Sequence, residues 1–186
     1  MNATHQQHTG VAGRSSDAAA AREPSGWRWL PVTVAVIGLD QIVKLWIVQH
    51  LALYRTVRLL PVLDITLTYN RGAAFSFLAE ASGWQKWFFA GLAVAVAAGI
   101  LLWLKRLGGR TQRLLCLSLT LILGGALGNL IDRLRIGHVV DFILAHWHGV
   151  YFPWAFNLAD SAITVGAGLL LIDAWLETRG SKKENV

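Results

Sequence analysis

Charge is what this sequence has least of. Only 15% of its 186 residues are Asp, Glu, Lys or Arg, where an ordinary soluble domain carries about 25%. Cysteine is scarcer still. The single Cys116 excludes an internal disulfide, so the redox compartment is not readable from it. It lies inside an apolar run and reads as a small core residue. No HExxH motif is present, and no internal repeat or separate soluble domain stands out. No A-x-A cleavage site follows the first apolar run, at residues 50–55, and that run is longer than the apolar core of a cleaved signal peptide. It therefore reads as a retained transmembrane helix.

What is abundant is hydrocarbon. Apolar residues make up 54% of the chain, the mean hydropathy is +0.46, and the apolar residues lie in long blocks. Nine tryptophans suit the same class, because Trp favours the membrane–water interface. Four runs, at about 29–48, 84–104, 114–131 and 158–175, have roughly 17–21 residues each, enough to cross a hydrocarbon core of about 30 Å. The net charge of +6 does not point to nucleic acid, since the basic residues sit in loops rather than along one face.

Four crossings put both termini on one side. Lys105, Arg106, Arg110 and Arg113 form a short loop without acidic residues, and Arg14, Arg22, Arg28, Arg179, Lys182 and Lys183 lie in the tails. The positive-inside rule places these in the cytoplasm and segments 49–83 and 132–157 outside. Arg55, Arg58, Arg71, Arg133 and Arg135 weaken that asymmetry. The expected organisation is a disordered tail at 1–28, one four-helix membrane domain at 29–176 and a cytoplasmic tail at 177–186. The fold class is integral membrane α-helical, with a small β-rich extracytoplasmic platform between helices 1 and 2 and a polar loop between helices 3 and 4.

The platform is read from period-two alternation. Leu63, Ile65, Leu67 and Tyr69 alternate with Asp64, Thr66, Thr68 and Asn70, predicting a strand with one face on protein or lipid and the other toward water. It runs into Asn70-Arg71-Gly72-Ala73-Ala74. There Gly72 and the alanines permit close approach of another backbone, and Asn70 offers a donor and an acceptor; an ordinary turn is the alternative. In the first helix, Asp40 and Lys44 are four residues apart and share a face. Either they pair with each other while Lys44 snorkels outward, or Asp40 faces a polar cavity. Gly124 and Gly128 make a GxxxG spacing suited to tight helix packing.

Polar chemistry concentrates between residues 129 and 160. Asn129, Asp132, Arg133, Asp141, Asn157 and Asp160 lie beside bilayer-length apolar runs, and ionisable groups near hydrocarbon are costly enough to demand a reason. Asp141 lies in a strand-like stretch at 138–144. Asp160 opens the fourth helix, where Asn157-Leu158-Ala159-Asp160 also has the form of a capping box. Asp141 and Asp160 fall on the same side of the membrane. Two carboxyls close together in a poorly solvated site do not readily both ionise. One can then activate a water while the other donates to a carbonyl. Such a pair needs neither metal nor cofactor.

The blocks DQIVK (40–44), YNRGAAFSF (69–77), GGALGNLIDR (124–133), HVVDF (138–142) and FNLADSAI (156–163) resemble, in order, the motif blocks of lipoprotein signal peptidase, or signal peptidase II. The resemblance spans about residues 30–175. It implies a four-helix aspartyl peptidase of the bacterial inner membrane, with both termini cytoplasmic and the active site on the periplasmic side. Such an enzyme removes the signal peptide from diacylglyceryl-modified prolipoproteins, cutting just before the lipidated cysteine. It implies Asp141 and Asp160 as the catalytic pair, with Asp40, Lys44, Asn70, Gly72, Ala73, Asn129, Asp132, Arg133 and Asn157 binding substrate or supporting the site. The implied partners are prolipoproteins, membrane lipid and globomycin-type cyclic peptide inhibitors. Arg71 and the tail before Trp29 depart from the family pattern without touching the pair.

Rival readings are a metallohydrolase using His138, His146 and His148 near Asp141, a small ion or proton transporter using intramembrane aspartates, and a structural scaffold. His146 and His148 read as ordinary interfacial residues beside Trp147.

Overall fold

The structure, a computed structural model, describes residues 23–72, 84–147, 150–152 and 154–184. A short 3-10 turn, Gly26–Trp29, leads into α1 (Leu30–His50), whose Pro31 stands in the first turn, where a missing N–H costs nothing. The other helices are α2 (Trp84–Arg106), α3 (Arg113–Ile136) and α4 (Leu158–Glu184). All four contain a stretch long and apolar enough to cross a membrane, as the hydropathy runs predict. α3 packs against each of the other three and is the most buried. It ends at Gly137, whose φ of 82° is the left-handed conformation that glycine adopts without a Cβ penalty.

The strands are β1 (Thr56–Leu60), β2 (Leu63–Asn70), β3 (Val139–Trp147) and β4 (Val150–Tyr151). They form one antiparallel sheet in sequential order. β1 and β2 come from the α1–α2 connection, β3 and β4 from the α3–α4 connection. Pairing of β2 with β3 therefore puts both long connections at the same end of the bundle. The segment between helices 3 and 4 is more than a polar loop, because it supplies half of the sheet.

The alternation in β2 is real, but its faces differ from the sequence expectation. Asp64 and Thr66 are buried, not turned to water. The register with β3 shifts between Ile65 and Thr68, so that Thr66 and Leu67 together oppose Phe142. Such a bulge interrupts the period of two, and both residues are buried. Asp64 tolerates burial because His146 Nε2 lies 3.2 Å from one carboxylate oxygen and the Tyr151 hydroxyl donates to the other at 3.2 Å. His146 is thus a buried partner in the sheet, not the interfacial residue expected from the sequence. An Asp is almost never fully buried unless paired.

Two apolar clusters hold the ends. Ile47, Leu67, Val140 and Phe142 pack beneath the sheet. Leu104, Cys116, Leu119 and Leu123 pack at the opposite end. Residues 23–28, assigned to the tail by composition, are seated against the α2–α3 connection. Gly26 N–H donates to Leu107 O at 2.9 Å and Gly109 N–H to Pro24 O at 2.7 Å. The remainder of the expected tail, residues 1–22, lies outside the described residues.

Candidate active site

Two local devices bring the acidic residues together. The first is sheet register. Asp141 sits opposite Thr68, with Asn70 two pairs further along at Val139. Diagonal neighbours on adjacent strands are within reach of each other's side chains, and Asn70 makes a side-chain hydrogen bond to Asp141. The second is the entry into α4. Phe156 pairs with Ile143, donating to its carbonyl at 2.9 Å and accepting its N–H at 2.8 Å. That seats the next residue, Asn157, beside Asp141.

Asn157 then joins the two aspartates. Its side-chain amide donates to Asp141 Oδ1 at 2.7 Å. Its Oδ1 accepts the Asp160 N–H at 2.9 Å, while Asp160 Oδ2 accepts the Asn157 N–H at 3.3 Å. These reciprocal bonds are the capping box foreseen in the sequence, so helix capping and pairing of the aspartates are one arrangement. Asn129, on α3, donates to Asp160 Oδ1 at 2.8 Å, and its own Oδ1 accepts from Asn157 at 3.2 Å.

Behind this layer lies an ionic cluster. Lys44 Nζ is 2.8 Å from Asp40 Oδ2, 2.8 Å from Asp132 Oδ2 and 2.9 Å from Asn129 Oδ1. The snorkelling reading is overturned: Lys44 is only 3% exposed and Asp40 0%, because two carboxylates satisfy the ammonium inside the bundle. Gln41 donates to Asp132 Oδ1 at 3.0 Å and to Gly128 O at 3.2 Å. No buried side-chain nitrogen or oxygen among the described residues lacks a partner, the condition under which a buried polar network rigidifies a site.

Burial, and secondarily the Asp160 charge, push the Asp141 carboxyl up to about 7; hydrogen bonds from Asn70 and Asn157 and the Lys44 charge oppose the rise. Arg133 lies over the Phe89 ring at 5.2 Å and donates to Asn129 O at 3.4 Å. It interacts electrostatically with Asp160, Asp141 and Asp132. Two cavities open at Asp160. One, of about 400 Å³, has Phe152, Phe156 and Val165 in its walls. The other, of about 290 Å³, runs between Phe89, Val96 and Ile122 and reaches Asn129 and Arg133. The aspartate is thus flanked by apolar clefts.

Of the residues singled out from the sequence, Asp40, Lys44, Asn70, Asn129, Asp132, Arg133, Asp141, Asn157 and Asp160 converge here. Gly72 stands beside them with a φ of 109°; a Cβ there would come within 2.8 Å of the Phe89 ring, and its N–H donates to Asn70 Oδ1 at 2.8 Å. Ala73 and Ala74 lie outside the described residues, as does His148. His138 packs at a tilt against Tyr69 with ring centroids 4.2 Å apart, and His146 is turned to Asp64. No cluster of three His, Cys, Asp or Glu side chains suited to a metal occurs among the described residues. Sequence reading left Gln41 out of the site; its one signal was a polar residue beside Asp40 in an apolar helix.

The chain is similar to known proteins. The family model described as signal peptidase (SPase) II matches residues 32–176. A lipoprotein signal peptidase of Pseudomonas fluorescens is 54% identical over 149 residues, covering 80% of this chain and 86% of its own length. One from Pseudomonas aeruginosa is 53% identical over 146 residues, covering 78% and 86%. One from Shewanella pealeana is 47% identical over 161 residues, covering 87% and 94%. A solved bacterial membrane enzyme, determined by the in meso method at 2.3 Å resolution, is similar with a TM-score of 0.72 and 32% identity, over 84% of this chain and 92% of that one.

Proposed function

The chain belongs to the signal peptidase II family, and from that membership we propose that it is an aspartyl endopeptidase whose reacting groups are Asp141 and Asp160. It is a multi-pass protein of the inner membrane that cleaves the signal peptides of lipoproteins. The substrate is the diacylglyceryl-modified prolipoprotein, cut just before the lipidated cysteine. Basic residues around 105–113 and in the tails support a cytoplasmic position for those segments by the positive-inside rule, and with it a periplasmic position for the sheet and the aspartates. The four-helix unit at 29–176 carries the whole activity.

One observation carries this reading: a single residue, Asn157, holds Asp141 through its side chain and Asp160 through the capping box. Two carboxyls fixed this way can share the work of general acid and base. The ionised member takes a proton from the attacking water while the protonated one donates to the scissile carbonyl oxygen. At neutral pH Asp141, raised to about 7, is available in its protonated form. The titration nonetheless belongs to the pair. Asn129, Asn157 and Asn70 orient the carboxyls. Asp40, Lys44 and Asp132 support them from behind, and Arg133 and Gly72 border the substrate path.

A lipidated peptide arrives from within the bilayer, and the apolar clefts at Asp160 suit such a substrate. Free sheet edges and extended segments hold a peptide by main-chain hydrogen bonds. A cyclic peptide of the globomycin type occupies the same path. A transporter finds no support in the family or in the architecture. The deciding experiment is cleavage of a lipidated and an unlipidated precursor by the wild type, Asp141→Asn and Asp160→Asn. The reading requires cleavage of the lipidated precursor by the wild type alone.

A further inference from the structure

The polar network converges on one ammonium. Lys44 has three N–H donors, and Asp40, Asp132 and Asn129 take all three. Each acceptor passes the constraint onward. Because Asn129 Oδ1 is held by Lys44, its amide N–H turns the other way, to Asp160 Oδ1 at 2.8 Å. Asp132 Oδ2 accepts the backbone N–H of Val140 at 3.1 Å, the residue before Asp141. Asp40 Oδ1 accepts the backbone N–H of Ala159 at 3.0 Å, the residue before Asp160. The two carboxylates that clamp Lys44 thus each grip the main chain one residue ahead of a reacting aspartate.

Resting on the assignment of Asp141 and Asp160 as the reacting pair, we propose that Lys44 is the positioning residue that sets the distance between them. It draws α4 toward α1 through Asp40 and β3 toward α3 through Asp132, and it fixes the orientation of Asn129. Stability alone is a poor reason for such a cluster. A buried ion group is often no more stabilising than apolar residues of similar volume.

The cluster also sets the local charge. The charged groups around the pair are Asp40 and Lys44 from α1, Asp132 and Arg133 from α3, and the aspartates themselves from β3 and α4. An ammonium among carboxylates favours their ionised forms. Its loss makes the base harder to ionise and moves the acid limb of the pH–rate profile to higher pH.

The structure offers a route for testing this without entering the active site. A cavity of about 240 Å³ is walled by Lys44, Asp132, Leu45, Val48 and Ile136, with neither Asp141 nor Asp160 in its lining. A small amine can therefore reach the position of the missing ammonium in Lys44→Ala.

The experiment measures kcat, KM and the pH–rate profile of full-length Lys44→Ala on a lipidated precursor, with and without n-propylammonium. The expected result is a kcat lower by on the order of 100-fold, the scale of a small misplacement of reacting groups. KM stays near wild type, the acid limb shifts upward, and propylammonium recovers kcat by roughly tenfold. Tetramethylammonium, which has the charge but no N–H, gives no recovery. If Lys44→Ala fails to insert, Lys44→Ala/Asp132→Asn restores the net charge of the cluster and carries the same readouts. A folded variant with wild-type kcat and an unmoved acid limb overturns the proposal. So does a loss that only tracks the amount of folded protein, or equal rescue by tetramethylammonium. Asp141→Asn and Asp160→Asn run in parallel separate the two claims. If they turn over normally, the reacting pair is wrong; if they are inactive while Lys44→Ala is normal, only the role of Lys44 falls.

Discussion

Asn157 donates its side-chain amide to Asp141 at 2.7 Å. The donor lies at the mouth of α4 and the acceptor in β3. The bond therefore closes a membrane helix onto a sheet that stands at its end. The same residue caps the helix that carries Asp160. Geometry at the site and the docking of α4 are for this reason one property, and substitutions here report on both.

The pair itself is tested by removing one ionisable oxygen at a time. Asp141→Asn and Asp160→Asn keep a side-chain oxygen to accept from Asn157 and Asn129, so insertion and folding are retained. Turnover should fall by at least about 100-fold in each, since positioned acid–base groups contribute about 10²–10⁴-fold. Cleavage kinetics on a lipidated precursor check this, and near-normal turnover in either variant would falsify the pair.

The supporting asparagines should cost less. Asn157→Ala removes a helix cap, worth about 1 kcal/mol, together with the bond to Asp141. Asn129→Ala removes the link between Lys44 and Asp160. The expected loss in kcat is on the order of 10–100-fold for each, the scale found for outer partners that orient metal ligands. Two variants with wild-type kinetics would leave these residues without a role in turnover.

How much of this was legible beforehand depends on the range of the interaction. Four helices follow from run length, because hydrocarbon thickness is a local constraint. The spacing of Asp40 and Lys44 shows that they share a face, but not that Asp132, on another helix, closes the cluster. β2 is legible from alternation; its faces are not, since the bulge opposite Phe142 depends on a partner strand far away in sequence. β1 is exposed along its whole length and leaves no burial pattern to read; its pairing with β2 makes it a strand. The pairing of Asp64 with His146 and Tyr151 was missed for the same reason. The motif blocks gathered most of the site because they mark its members one at a time, but they do not say which atom meets which.

Stability should depend on pH through Asp141. Its carboxyl is raised from 3.8 to about 7, by burial first and by Asp160 second. Between those values the folded protein keeps a proton that the unfolded chain has lost, so stability falls as pH rises across the window. Asp141→Asn has no such proton to lose. In detergent the variant should melt above the wild type at pH 8, and the difference should close near pH 4. A gap of several degrees is expected, because about 1 kcal/mol shifts a chain of this size by about 2–4 °C. Parallel melting curves at all pH values would refute the raised carboxyl.

The glycines of α2 and α3 do different work from one another. A Cβ on Gly125 would run into the Ala159 carbonyl oxygen and lie 2.7 Å from Ile163 Cγ1, while one on Gly99 in α2 meets nothing within 4 Å. Overpacking of this kind costs about 1–3 kcal/mol. Gly125→Ala should therefore lower the melting temperature and, because Ala159 adjoins Asp160, lower kcat as well. Gly99→Ala should do neither, gaining helix propensity of up to about 1 kcal/mol. Melting and turnover of the two variants side by side provide the check.

The N-terminal segment has a boundary that truncation can locate. Glu23 accepts backbone N–H groups of Arg110 and Thr111 at 2.7 and 2.6 Å, and the Thr111 hydroxyl at 3.1 Å. Those backbone bonds, Thr111 first, hold its carboxyl below the usual range of 4.5. A lowered carboxyl stabilises the fold above the unfolded value and loses that effect as pH falls through the folded one. Pro24 and Gly26 add main-chain bonds to Gly109 and Leu107, so residues 23–26 tie the start of α1 to the α2–α3 turn. A chain beginning at Glu23 should melt and cleave as the full chain does. A chain beginning at Gly26 should melt lower, and Glu23→Gln should fall between them at neutral pH, with its difference from the wild type vanishing in acid. Turnover should be retained in all three, because the segment lies at the end of the bundle opposite the aspartates. Equal melting temperatures for chains beginning at 23 and at 26 would show that these contacts do not hold the helix, and loss of cleavage in the longer of the two would place a function in residues 1–22.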